Sequence, residues 1–107
     1  MTDPASPELS VGKSVINEMV RLAAFEVPGV ARVGRRGPAL LSFLAGPGVS
    51  AYVSHDGVRV RVWVIARPGQ PLEPLTRQVR SAVGATVERL LGLRLESVTV
   101  TVDGVGG

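Results

Sequence analysis

The single histidine, His55, stands beside Asp56 in the run Ser54-His55-Asp56-Gly57, a spacing in which a carboxylate can orient an imidazole as a general base. Hydrolytic chemistry asks for more: a nucleophile, its base and an electrophilic stabiliser must converge. The chain has no cysteine and no serine in a GxSxG elbow, and its nine carboxylates are scattered, with none three or four residues from another on a candidate helix. One imidazole among dispersed carboxylates also falls short of the three or four ligands that a metal requires. His55 therefore reads as the solvated flank of a turn. The expectation is a protein that is not an enzyme, with no metal, no cofactor and no small-molecule substrate.

Phosphate recognition is the next chemistry to weigh. No GxGxxG and no Walker loop is present, but Gly34-Arg35-Arg36-Gly37 is a GxxG with two central arginines, followed by the apolar residues Leu40, Leu41, Phe43 and Leu44. That loop resembles the backbone clamp of KH domains, where small residues admit a nucleic-acid backbone and basic ones meet its phosphates. The KH loop joins two helices directly, whereas here Pro28-Gly29 and an extended Val30–Val33 intervene. RNA binding through GRRG is thus the alternative reading. The 40–44 cluster reads either as a lid over the core edge or as a docking surface for a partner or membrane edge. In the latter case Arg35 and Arg36 would meet anionic lipid, at about 1 kcal/mol each.

The third constellation depends on a hairpin. Val49–His55 and Val58–Arg67 both alternate, and Asp56-Gly57 between them is a strong two-residue turn signal. A turn centred on those two residues sets Val53 opposite Val60, Ala51 opposite Val62 and Val49 opposite Val64 on one side of the sheet. Tyr52 then lies opposite Arg61, and Ser50 opposite Trp63, on the other. The second side gathers Tyr52, Arg59, Arg61, Trp63 and Ile65, among them the only Trp and the only Tyr of the chain. Trp, Tyr and Arg dominate binding hot spots, and an apolar patch on a sheet face without helices marks an interaction site. Association is the leading reading of this surface, ahead of a plain solvent face with cross-strand Tyr–Arg pairs and of a base-stacking platform.

The elements that must hold these residues follow from apolar spacing. Val15, Ile16, Met19, Val20, Ala23 and Ala24 form a helical stripe over Lys13–Glu26, capped at Gly12 or Ser14 and stopped by Pro28-Gly29. Leu75, Val79, Ala82, Val83, Val87, Leu90 and Leu91 form a second, with Pro74 in its first turn and Gly92 at its C-terminal cap. Gly84 inside that helix costs about 1 kcal/mol unless something packs closely there. A last strand over Leu95–Val102 needs a bulge near Glu96-Ser97, because the valine phase disagrees with Leu93 and Leu95. Glu8–Val11 alternates as a short edge strand. The predicted class is α+β, in the order β-α-β-β-α-β, with a small, mainly antiparallel sheet and two helices on one face. Residues 1–7 form a disordered tail and 8–105 one domain.

At 107 residues and 45% apolar content the chain can bury a genuine core. Its net charge is only +3 although the isoelectric point is about 10.6, because eleven of twelve basic residues are Arg. GC-rich codon usage, visible also in Ala, Gly, Val and Pro, accounts for that bias better than a nucleic-acid footprint does. No basic-plus-apolar leader and no run of about 20 apolar residues occurs, so a cytoplasmic location is expected.

Three ordered blocks carry a resemblance: VINEMVRLAAFEVPGV (15–30), GVSAYVSHDGVRVRVWVIARPGQPL (48–72) and QVRSAVGATVERLLGLRLESVTVTVDGV (78–105). Together the chain resembles the alkaline-shock-protein family, the Gls-type general stress proteins of bacteria. It departs in having LGL at 91–93 where that family usually shows TGL, and in its arginine-rich outer faces. The resemblance implies a non-catalytic, often oligomeric cytoplasmic protein linked to envelope stress. It also implies a protein partner, which for some members is membrane-anchored and brings them to the membrane. It supplies no catalytic residues.

Overall fold

Alternating valines in the middle of the chain force a sheet with one apolar face, and two amphipathic helices supply what covers it. The computed structural model describes residues 5–35 and 48–106. Its elements are α1 (Ala5–Phe25), β1 (Val30–Val33), β2 (Val49–Ser54), β3 (Gly57–Ala66), α2 (Leu72–Ala85) and β4 (Leu95–Val105), with one π-helical turn over Thr86–Leu90 extending α2. The class is α+β, and both helices pack on the same side of the sheet through Ile16, Val20 and Ala24 of α1 and Leu75, Val79 and Val83 of α2. They meet Val49, Ala51, Val58, Val60, Val62, Val64 and Ala66, with Val98, Val100 and Val102 partly buried alongside. Each fully buried valine contributes about 1.5–3 kcal/mol.

The element order differs from the expectation at two places. Glu8–Val11 is not a strand but part of α1, which runs back to Ala5, and the extended piece Val30–Val33 is a strand of the sheet, so the order is α-β-β-β-α-β. Extending an existing helix gains one hydrogen bond per residue fixed, and Pro7 falls in the first turn, where its missing N–H costs nothing. Gly12 and Ser14, expected as caps, accordingly lie inside the helix.

The sheet has four strands on three rails. β1 pairs antiparallel with Val64–Ala66 and β2 antiparallel with Gly57–Val62. At the junction the Gly34 N–H donates to the Trp63 carbonyl (2.8 Å), and the Trp63 N–H donates to the Gly48 carbonyl (2.8 Å). Both peptide groups of Trp63 face the same neighbour, so β1 and β2 are one strand interrupted between Gly34 and Gly48. β3 is the central rail, and β4 lies parallel to it on the far side, from Val58↔Leu95 to Ala66↔Val105. Register breaks fall at Glu96, where a bulge was expected, and at Asp103.

The hairpin register is slipped by two residues from the expected one: Val53 faces Val58, Tyr52 faces Arg59, Ser50 faces Arg61 and Val49 faces Val62. His55 and Asp56 make the reversal, and only Gly57 takes a positive φ (136°). A type I′ turn at Asp56-Gly57 would put Asp56 in the left-handed region. The chain avoids this with a turn braced by Ser54, whose hydroxyl accepts from the Asp56 N–H (3.3 Å) and donates to the Gly57 carbonyl (3.4 Å). Because the slip is an even number, every side chain keeps its face.

In α2 the buried stripe is Leu75, Val79, Val83 and Val87, whereas Leu90 is 64% exposed. The π turn, closed by the Leu91 N–H to the Thr86 carbonyl (3.0 Å), rotates Leu90 off the apolar side. Gly84 has its packing reason: a Cβ there would lie 3.3 Å from Leu95 Cδ2. Gly92 takes φ 67°, as its capping position requires.

Candidate association site on the outer sheet face

β3 alternates, so with its even-numbered valines inward, Arg59, Arg61 and Trp63 point away from the helices. Trp63 is half-buried, with the Arg61 guanidinium 5.1 Å from its ring centroid and that of Arg35 at 4.0 Å. Arg61 gets there by being two residues back on the same strand. Arg35 gets there because Gly34 is hydrogen-bonded to Trp63, which delivers the next residue to the same face. Each exposed guanidinium–ring contact is worth about 0.5–1 kcal/mol and, more usefully, holds a flexible side chain in place.

Beside this cluster, Tyr52 is 60% exposed and Arg59 lies over its ring at 5.8 Å. Arg59 Nε and Nη2 donate to the Glu96 carboxylate at 3.0 and 3.4 Å. That hydrogen-bonded carboxylate, and secondarily its charge, raises the Arg59 pKa above the ordinary arginine value and keeps the cation permanently charged. Among the described residues neither Arg35 nor Arg61 has a carboxylate partner. Ser50, Tyr52, Ser54, Arg59 and Arg61 border a shallow concavity of about 510 Å³ that opens to solvent. Thr99 and Thr101 of β4 extend the surface, opposite Arg61 and Trp63 respectively.

Of the five residues expected on this surface, Tyr52, Arg59, Arg61 and Trp63 are together on it. Ile65 is not available: it is 5% exposed. β4 runs past its expected end to Val105, and after the Asp103 bulge the chain brings Gly106 against Ile65, where a Cβ would lie 3.9 Å from Cγ2. Arg35, expected as part of a separate loop surface, belongs to the Trp63 cluster instead. Arg36, Leu40, Leu41, Phe43 and Leu44 lie outside the described residues. Glu96 was missed as a site residue, although the valine phase change marks it as the bulge from which a carboxylate can reach β3. The expected Tyr52–Arg61 pair is Tyr52–Arg59, a consequence of the register slip.

His55 Nε2 lies 3.5 Å from Asp56 Oδ1 at the hairpin tip, and both side chains are largely exposed. Among the described residues no three His, Cys, Asp or Glu side chains come together as a metal-binding group. No helix among them is long and apolar enough to cross a membrane.

The profile of the alkaline shock protein 23 family, described as having a cell envelope-related function, matches residues 2–106. No curated protein matches the sequence. Solved structures similar in fold include the manganese form of a MamM CTD variant, with a TM-score of 0.61 at 19% identity over 85% of this chain and 96% of that one. The zinc form of another MamM CTD variant gives a TM-score of 0.56 at 20% identity over 85% and 84% of the two chains. At such identities the likeness is one of fold.

Proposed function

The chain belongs to the alkaline shock protein 23 family, of cell envelope-related function, and from that premise we propose that it acts by contact and not by catalysis, as a stress-related or scaffold protein at the inner side of the envelope. In this reading the outer sheet face docks a protein partner, membrane-anchored in the envelope setting, while the protein itself self-associates in the cytoplasm. The observation that supports it is the Arg35–Trp63–Arg61 stack, which lies on the sheet face opposite both helices. Two guanidinium groups that have no carboxylate partner among the described residues, held against the only indole of the chain, form a pre-ordered hot spot with little side-chain entropy left to lose on binding.

Fractionation of cells tests this. The native protein is expected in the membrane fraction after chemical cross-linking to a protein partner. Trp63→Ala combined with Arg61→Ala is expected in the unbound fraction with unchanged circular dichroism. Equal cross-linking of the double variant would discard the outer face as the docking surface. The GRRG reading makes the opposite forecast, a low-salt RNA shift lost on Arg35→Asp; Gly34 and Arg35 leave a strand, not a helix as in the KH clamp.

A further inference from the structure

The two long edges of the sheet are unequal. One is the interrupted strand, broken at Gly34 and Gly48. The other is β4, eleven residues that pair only with β3 among the described strands. Natural edge strands are usually blunted by lysine, proline, bulges or inward charges, since an open row of N–H and C=O groups recruits another strand. β4 carries bulges and acidic residues only at its ends, at Glu96 and Asp103. Between them Ser97–Val102 reads SVTVTV, in unbroken register with Arg59–Val64.

The inner side of this segment is unfinished. Val60, Val62 and Val64 on the central rail are at most 1% exposed, whereas Val98, Val100 and Val102 beside them are only partly buried. α2 already packs on this side of β4, so among the described residues what the β4 valines lack is a neighbouring strand.

We propose that a second copy of this chain fills that place, its β4 antiparallel to the first about a two-fold axis through Val100. The pleat restricts the register, because directly opposed residues share a face, so valines must meet valines and threonines threonines. With the axis at Val100, Val98 faces the second copy's Val102, Val100 faces itself, and Thr99 faces the second copy's Thr101. A shift of two residues either way leaves one valine of each copy facing Glu96 or Gly104. The centred register opposes no like charges and adds two cross-strand threonine pairs. An axis perpendicular to the sheet keeps the helices of both copies on one side, so the two outer faces merge into one surface carrying two Trp63 clusters. This goes beyond the docking role of the outer face and does not depend on it.

The register dictates the test. Sedimentation equilibrium of the native chain is expected to show a dimer. Thr99→Lys with Thr101→Lys sets lysine against lysine twice and is expected to weaken it on the order of tenfold or more. Thr99→Lys with Thr101→Glu sets lysine against glutamate twice and is expected to restore it, which a merely misfolded variant would not do. Val100→Cys, the only cysteine in that chain, is expected to form an intermolecular disulfide on mild oxidation, whereas Val98→Cys is not. Trp63→Ala is expected to leave the dimer intact. A monomeric native protein, a dimer unaffected by the lysine pair, a failure of Val100→Cys to cross-link, or a dimer lost with Trp63→Ala would each overturn the proposal. The last would shift self-association to the outer face.

Discussion

The two faces of the sheet are made by the same strands, yet they are held by different physics. On the inner face, Val58, Val60, Val62 and Val64 are sealed by two helices, and the energy is transfer of apolar surface out of water. On the outer face the alternate residues of the same strand, Arg59, Arg61 and Trp63, meet each other and Arg35, Tyr52 and Glu96 through ring and ion contacts open to solvent. Such contacts are individually small, and an exposed ion pair such as Arg59–Glu96 adds little to stability. The lesson is that one face is committed to holding the fold, and the other is free to carry function.

Substitutions at adjacent positions measure how complete that division is. Val62→Asp buries a carboxylate with no partner among valines and is expected to abolish folding, read as loss of a cooperative thermal transition. Its neighbour Arg61→Glu is expected to change stability by about 1 kcal/mol or less in urea unfolding. Similar losses at the two positions would mean that the outer face is part of the structural core after all.

The hairpin tip is expected to give the next largest effect. Gly57→Ala should cost about 1–3 kcal/mol, because its φ of 136° disfavours a side chain and a Cβ would lie 2.8 Å from the Arg94 carbonyl oxygen. That carbonyl accepts from the Val58 N–H at 2.8 Å and ties the tip to the start of β4, so hydrogen exchange of Val58 should quicken in the variant. Unchanged exchange there would separate the turn from the β3–β4 junction. Smallest is the π turn: Leu90→Ser is expected to stay within about 0.5 kcal/mol. Val87→Ser, at a fully buried position three residues earlier, should cost several times more in the same denaturation assay.

Much of this was legible in the sequence because it rests on local periodicity. The stripe Leu75–Val79–Val83–Val87 follows from helical spacing, and Pro28-Gly29 ends α1 where a proline and a glycine must. The bulge at Glu96 follows from a break in valine phase. Tyr52, Arg59, Arg61 and Trp63 share a face because strand side chains alternate. The exposed Leu90 was not legible, since a single π turn leaves no mark on apolar spacing. Nor was buried Ile65, which is covered by the chain beyond the strand's expected end.

By itself the sequence determined which residues go to which side, since a period of two or of 3.6 is a property of the chain alone. Only the tertiary structure decided who their neighbours are. A hairpin slipped by two residues keeps every face but exchanges every partner, giving Tyr52 to Arg59 in place of Arg61. The strand interrupted opposite Trp63 brings Arg35 onto its ring, and the crossover through α2 lays β4 parallel to β3 with its far edge unpaired among the described strands. The reason is that a face is fixed by the geometry of each residue, whereas a partner is fixed by hydrogen bonds and packing between segments far apart in the chain.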